Sequence, residues 1–186
     1  MRSRALDPVS FRILKKYLEK RVQRSLRSGF AQLGTNNGLA GYTIVDFGEG
    51  ELARIIGQYT PDTAFYDPAK DPPTRPNHLP GEISPSYKWS TALQNATRPY
   101  EQTQFRQVLS QINWYMDQHE TRYGFLLTDC EMVAIKRLDD EGRLELSESV
   151  LWSTKGSEDC PQLTVLLALW YLGMLAANIQ RWKLMV

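Results

Sequence analysis

Cysteine is scarce in this chain. Among 186 residues only Cys130 and Cys160 occur, too few for a disulfide framework and without the paired spacing of a zinc site. Histidine is equally rare: His78 sits among prolines and His119 ends a helical pattern, so both are expected at the surface. There is no glycine-rich phosphate loop and no Ser/His/Asp arrangement. Long hydrophobic runs are missing too. Residues 163–177 are almost wholly apolar, but about 15 residues fall short of the roughly 20 that span a bilayer. That stretch reads as a buried helix with no membrane span, opened by Pro161 and reaching about Trp182. Nor is there an apolar leader, since Arg2 and Arg4 precede a charged amphipathic stretch. An intracellular protein, cytoplasmic or nuclear, is the expectation.

What is present is ordinary in bulk. Apolar residues at 42% and charged residues at 23% are globular values, and 186 residues suit one domain over 1–186 with a real core, about 42–182. The net charge of +1 conceals an asymmetry: residues 1–30 hold nine Lys/Arg against two acids. A basic helix over about residues 9–28 explains it, with Phe11, Leu14, Leu18, Val22 and Leu26 as its apolar stripe and Asp7 as its cap. Such a helix is either a solvated face or a surface for an anionic partner, nucleic acid above all. Glu19 on it is first an i to i+4 neighbour of Lys15 and Gln23.

The remaining elements follow in order. Residues 29–41, rich in Gly and Asn, read as a connection. Residues 42–47 read as a strand, 46–50 as a turn and 52–58 as a weak strand. Strands beginning at Pro61 and Pro80 flank a loop too rich in proline for regular structure. A helix over 100–119 buries Phe105, Val108, Leu109, Ile112 and Met116, leaving Gln107, Gln111 and Tyr115 along the stripe's edge. A hairpin over 123–138 and an alternating segment over 143–152 complete the pattern.

Asp62 and Glu82 therefore fall on neighbouring strands, and two carboxylates plus water and a substrate phosphate are what Mg²⁺ requires. The order Pro61-Asp62, then Glu82-Ile83-Ser84, then Gln111-Ile112-Asn113-Trp114-Tyr115 resembles the PD-(D/E)XK nuclease superfamily. The last piece matches the Gln-x-x-x-Tyr helix of RecB-like members. Residues 80–89, 100–116 and 122–137 are similar to a group of fungal PD-(D/E)XK-like proteins. The resemblance implies an α/β, restriction-endonuclease-like core of three layers, with a central mixed sheet flanked by helices. It implies Asp62 and Glu82 as metal ligands for Mg-dependent hydrolysis of DNA, with the Ile83 carbonyl as a further ligand and Gln111 and Tyr115 bracing the site. Some relatives add an acid from the first helix, which points to Glu19.

One position departs from the pattern. Ser84 stands where the family carries its catalytic lysine, on the same strand face as Glu82. Lys88 is the nearest substitute if Pro85 turns the chain back, and Arg106 is another. Without a substitute the chain is a pseudoenzyme, a DNA-binding remnant of a nuclease. A different reading is recruitment to a metal-independent role: binding or transforming a small apolar metabolite in a cleft near Glu82, or acting as a protein-interaction module.

Overall fold

The structure, a computed structural model, describes residues 8–35 and 37–184, and in the first helix it describes side chains from residue 15 onward. The expected cap Asp7 and the side chains of Phe11, Arg12 and Leu14 lie outside the described residues. Helix α1 (Pro8–Thr35) runs past the expected end near residue 28. The reason is burial. Phe30 and Leu33 prolong the stripe of Leu18, Val22 and Leu26 onto the core. That outweighs the roughly 1 kcal/mol a helical glycine costs.

Strand β1 (Asp46–Glu49) occupies the segment expected to turn, and residues 42–45 are not part of it. Phe47 decides this: it is buried and packs on Phe65 at 4.9 Å, while Asp46 meets Arg27 at the edge. No strand forms over 52–58; Gly50–Leu52 is a short 3-10 turn, and Gly57 and Gln58 take positive φ in a tight reversal. Strand β2 (Thr63–Tyr66) follows. Strand β3 (Asn77–Ile83) starts three residues inside the proline-rich stretch. Its Pro80 lies just before the pairing with the next strand begins at Gly81, so one missing amide donor is tolerated.

Helix α2 (Pro99–Gln118) crosses to β4 (Tyr123–Leu127), which turns into β5 (Glu131–Arg137). The segment over 143–152 splits into β6 (Leu144–Leu146) and β7 (Val150–Leu151), both paired with β5. Helix α3 (Val165–Ala177) is shorter than expected. The Thr164 side chain caps its start by accepting from the Leu167 amide, and Asn178 ends it.

The fold is α/β, a mixed sheet of seven strands ordered β1-β2-β3-β4-β5-β6 with β7 also on β5. Only β3 and β4 pair in parallel, and α2 connects them; β1, β2 and β3 form an antiparallel meander. Side-chain alternation then divides the core. Phe65, Leu79, Phe125, Leu127 and Met132 face α1 and α3. Leu126, Val133 and Ile135 face α2 on the other side. Among the described residues no helix is long and apolar enough to cross a membrane.

Candidate functional site

The site is a consequence of one register. Thr63 on β2 faces Gly81 on β3 in an antiparallel pair. The residue before the first therefore meets the residue after the second, which places Asp62 beside Glu82. Asp62 Oδ2 accepts a hydrogen bond from the Ile83 amide at 2.9 Å, so its carboxylate is tied to the strand that carries Glu82. Two glycines permit the approach. A Cβ on Gly81 would stand 2.1 Å from Phe125 Cζ, and one on Gly50 would stand 1.9 Å from the Pro61 carbonyl oxygen.

Helix α2 closes the site from above. Its Gln111 donates from Nε2 to Glu82 Oε1 at 3.0 Å and to the Tyr115 hydroxyl at 3.4 Å. Tyr115 in turn donates its hydroxyl proton to the Thr60 carbonyl at 3.1 Å. The chain of donors has one consistent direction. Because the Tyr115 proton is spent on Thr60, its oxygen must accept, and Gln111 must present its amide nitrogen to both partners. Gln111, Tyr115, Asp62 and Glu82 are thus gathered around one spot.

Electrostatics single out Glu82. Burial first, and the charge of Asp62 second, push its pKa up to about 8, with Lys15 opposing them. Two carboxylates this close are short of positive charge, and one of them keeps its proton at neutral pH. Tyr115 is raised as well, chiefly by burial, with the Glu82 and Asp62 charges adding to it against the Gln111 hydrogen bond.

The remaining expected residues are placed differently. Ser84 is buried, and its amide donates to the Leu127 carbonyl, which prolongs the β3–β4 ladder by one residue. Pro85 does reverse the chain, since both the Lys88 and Trp89 amides donate to its carbonyl. Yet that turn serves to bury Trp89 against Phe105, while Lys88 stays exposed and has no hydrogen bond or ion pair with Asp62 or Glu82. Arg106 is exposed on α2 and likewise makes no such bond. Glu19 sits half-buried with Gln23 Nε2 at 3.4 Å, and burial and the Glu49 charge raise its pKa while Lys15 lowers it.

His78 and His119 are not at the surface, contrary to the sequence expectation. Both are buried: His78 stacks on Trp182 at 4.1 Å and shares a hydrogen bond with the Ala176 carbonyl. His119 packs at the end of α2, where burial, and then Arg54, lowers its pKa to about 4. Two acids between β4 and the start of β5 are structural. Asp129 takes the amide and hydroxyl of Ser86, and Glu131 takes those of Thr91, so together they fix the chain leaving Glu82. Nothing local in the sequence marks these pairings, which span about forty residues.

A cleft of about 600 Å³ opens elsewhere, between β5, β6 and α3, lined by Tyr123, Met132, Leu146 and Tyr171 among others. Neither Asp62 nor Glu82 lines it, so a cleft for a small apolar ligand lies away from the acid pair. Among the described residues no group of three or more His, Cys, Asp or Glu side chains is placed to hold a metal. No family model, curated protein or solved structure matches this chain.

Proposed function

We propose that this chain has a restriction-endonuclease-like, PD-(D/E)XK-type architecture and hydrolyses phosphodiester bonds of DNA with Mg²⁺ at Asp62 and Glu82. The observation that carries the reading is the Glu82 carboxylate itself, half-buried beside Asp62 and held by Gln111. The antiparallel meander β1–β2–β3, followed by the α2 crossover to a parallel β4, supports the architecture.

The donor set fits the ion. Mg²⁺ commonly takes one or two carboxylates and fills its shell with water and phosphate, and a pair that retains a proton for want of positive charge is stabilised by a cation. When bound, the ion would polarise the phosphoryl oxygens and lower the pKa of the attacking water. Asp62 is oriented for this by the Ile83 amide, and Glu82 by Gln111. Hydrolysis forms a bond from water oxygen to phosphorus and breaks one ester P–O bond. One water proton is released to solvent, and the departing ester oxygen takes one up. Lys16, Lys20 and Arg24, exposed along α1, supply phosphate contacts outside the reacting centre.

The test is plasmid nicking by the full chain with Mg²⁺ and with chelator, for wild type, Asp62→Ala and Glu82→Ala. Mg²⁺-dependent nicking lost in both variants is the expected result; wild-type protein that nicks no more than Glu82→Ala sinks the reading. A second reading, binding of a small apolar ligand without metal, is favoured by the cleft between β6 and α3.

A further inference from the structure

We propose that the outer face of α3 is a homodimer interface, covered by α3 of a second copy of this chain lying parallel to it. Helix α3 is apolar on every side, since Val165–Ala177 contains no charged residue. A helix hydrophobic all round is ordinarily buried all round. Here one side alone is buried. Val165, Leu169, Leu172 and Ala176 pack on the core. Leu163, Leu167 and Tyr171, at four-residue steps, are 51%, 47% and 57% exposed. Leu163 stands just before the helix, and the other two continue its row along the outer face. A contiguous apolar row of this kind marks a surface that another body covers.

The flanks of the row say which body. On one side a groove of about 560 Å³ separates α3 from α1, with Leu166 and Trp170 on its α3 wall and Arg24 on its α1 wall. On the other side lies the cleft against β5 and β6, where Glu148 shares the lining with Tyr171. Lys136 and Glu145 in that cleft pair with each other at 2.8 Å. Arg24 and Glu148 are exposed, and neither forms an ion pair among the described residues. The apolar row therefore has an unpaired cation on one flank and an unpaired carboxylate on the other.

An acidic partner would gain at Arg24 and be repelled at Glu148, and a basic partner the reverse. A second copy presents both signs. With a two-fold axis parallel to α3, the α1 flank of each protomer lies over the β6 flank of its partner, and Arg24 meets Glu148 twice. An axis across the helix would set Arg24 against Arg24 instead. Thirteen helical residues make a ridge about 20 Å long. With its two flanks it falls toward the small end of specific interfaces, which corresponds to a dimer forming in roughly the micromolar range. Arg24 then turns to the partner, leaving Lys16 and Lys20 for phosphate. Neither Asp62 nor Glu82 lines either depression, so the pairing stands apart from the phosphodiesterase reading.

The test is sedimentation velocity of the full chain from about 1 to 200 µM. Wild type should show a reversible monomer–dimer equilibrium. Leu167→Lys should be monomeric throughout and keep its thermal midpoint, because lysine is a good helix former at an exposed position. Arg24→Glu and Glu148→Arg should each weaken the dimer by about tenfold or more. An equimolar mixture of those two variants should associate more tightly than either alone, and the double variant should return to wild-type affinity. Monomeric wild type across the range overturns the proposal, as does a dimer that Leu167→Lys leaves intact. Single reversals without effect, or a double variant that stays weak, overturn it as well. Monomeric wild type that floats with phosphatidylcholine/phosphatidylserine vesicles would assign the face to a membrane surface instead.

Discussion

Gln111 Nε2 lies 3.0 Å from Glu82 Oε1, and this bond joins the α2 crossover to the strand it follows. Its partner Tyr115 is anchored one step away, to the Thr60 carbonyl next to the Pro61-Asp62 segment. The helix therefore contacts both acid-bearing strands through two side chains four residues apart, which is the helical spacing that places them on one face.

That bridge predicts a separation of roles. Gln111→Ala should cost only about 1 kcal/mol of stability, because Gln111 is exposed and its bond is a single one. Tyr115→Phe should cost a similar amount through loss of the Thr60 bond. Mg²⁺ affinity, measured by calorimetry, should fall several-fold in Gln111→Ala as Glu82 loses its orientation. An unchanged Mg²⁺ affinity would mean that Gln111 does not position the carboxylate.

A pH profile should expose Glu82 and His119 with opposite signs. Glu82 in the fold titrates near pH 8, above its ordinary value, so its contribution is present at low pH and is lost as pH rises through 8. His119 titrates near pH 4, below its ordinary value, so its contribution is present above about pH 6.5 and is lost on acidification through pH 4. Between about pH 4.5 and 6.5 the two oppose each other. Above that only Glu82 remains, and metal-free protein should lose on the order of 1 kcal/mol between pH 6.5 and 8.5, after allowance for solvent screening. Thermal unfolding followed by circular dichroism reads this directly. Glu82→Gln should flatten the alkaline limb and leave the acid limb in place; parallel profiles would show that Glu82 is not the group responsible.

Glycine substitutions should divide by what surrounds them. At Gly81 a methyl group would meet Phe125 Cζ at 2.1 Å and Thr63 Oγ1 at 2.4 Å, and both side chains are buried and have little room to yield. Gly81→Ala should therefore destabilise by about 1–3 kcal/mol, the range of an overpacked core. At Gly34, exposed near the end of α1, the nearest atom is Leu39 Cδ1 at 3.5 Å. Gly34→Ala should be neutral or stabilising by up to about 1 kcal/mol. Equal midpoints in urea for the two variants would contradict the packing around Gly81.

The grouping of Asp62, Glu82, Gln111 and Tyr115 is legible in the sequence, and the reason is periodicity. Asp62 and Glu82 fell on adjacent strands because each begins a β-rich segment after a proline, and Gln111 and Tyr115 shared an edge because helical spacing requires it. What stayed hidden depends on contacts distant in sequence. Asp46-Phe47-Gly48-Glu49 has the composition of a turn, but pairing with β2 and burial of Phe47 make it a strand. His78 in its proline loop looked exposed until Trp182, about a hundred residues later, covered it. The carboxylates of Asp129 and Glu131 gained their roles only from Ser86 and Thr91.

Position 84 offers the last test, because it asks whether a cation added beside the two carboxylates raises the rate. Ser84 is buried on the β3 edge, on the face it shares with Glu82. A lysine there would enter a site that already holds two acids, one of them pushed up for lack of positive charge. Ser84→Lys should raise Mg²⁺-dependent nicking by about 10²-fold. Ser84→Lys with Glu82→Ala should stay inactive and be less stable, since the new ammonium would then be buried with one partner fewer. The measurement is nicking rate alongside a thermal midpoint for each variant. Folded Ser84→Lys protein with no gain over wild type would show that the face beside Glu82 is not where the phosphate lies.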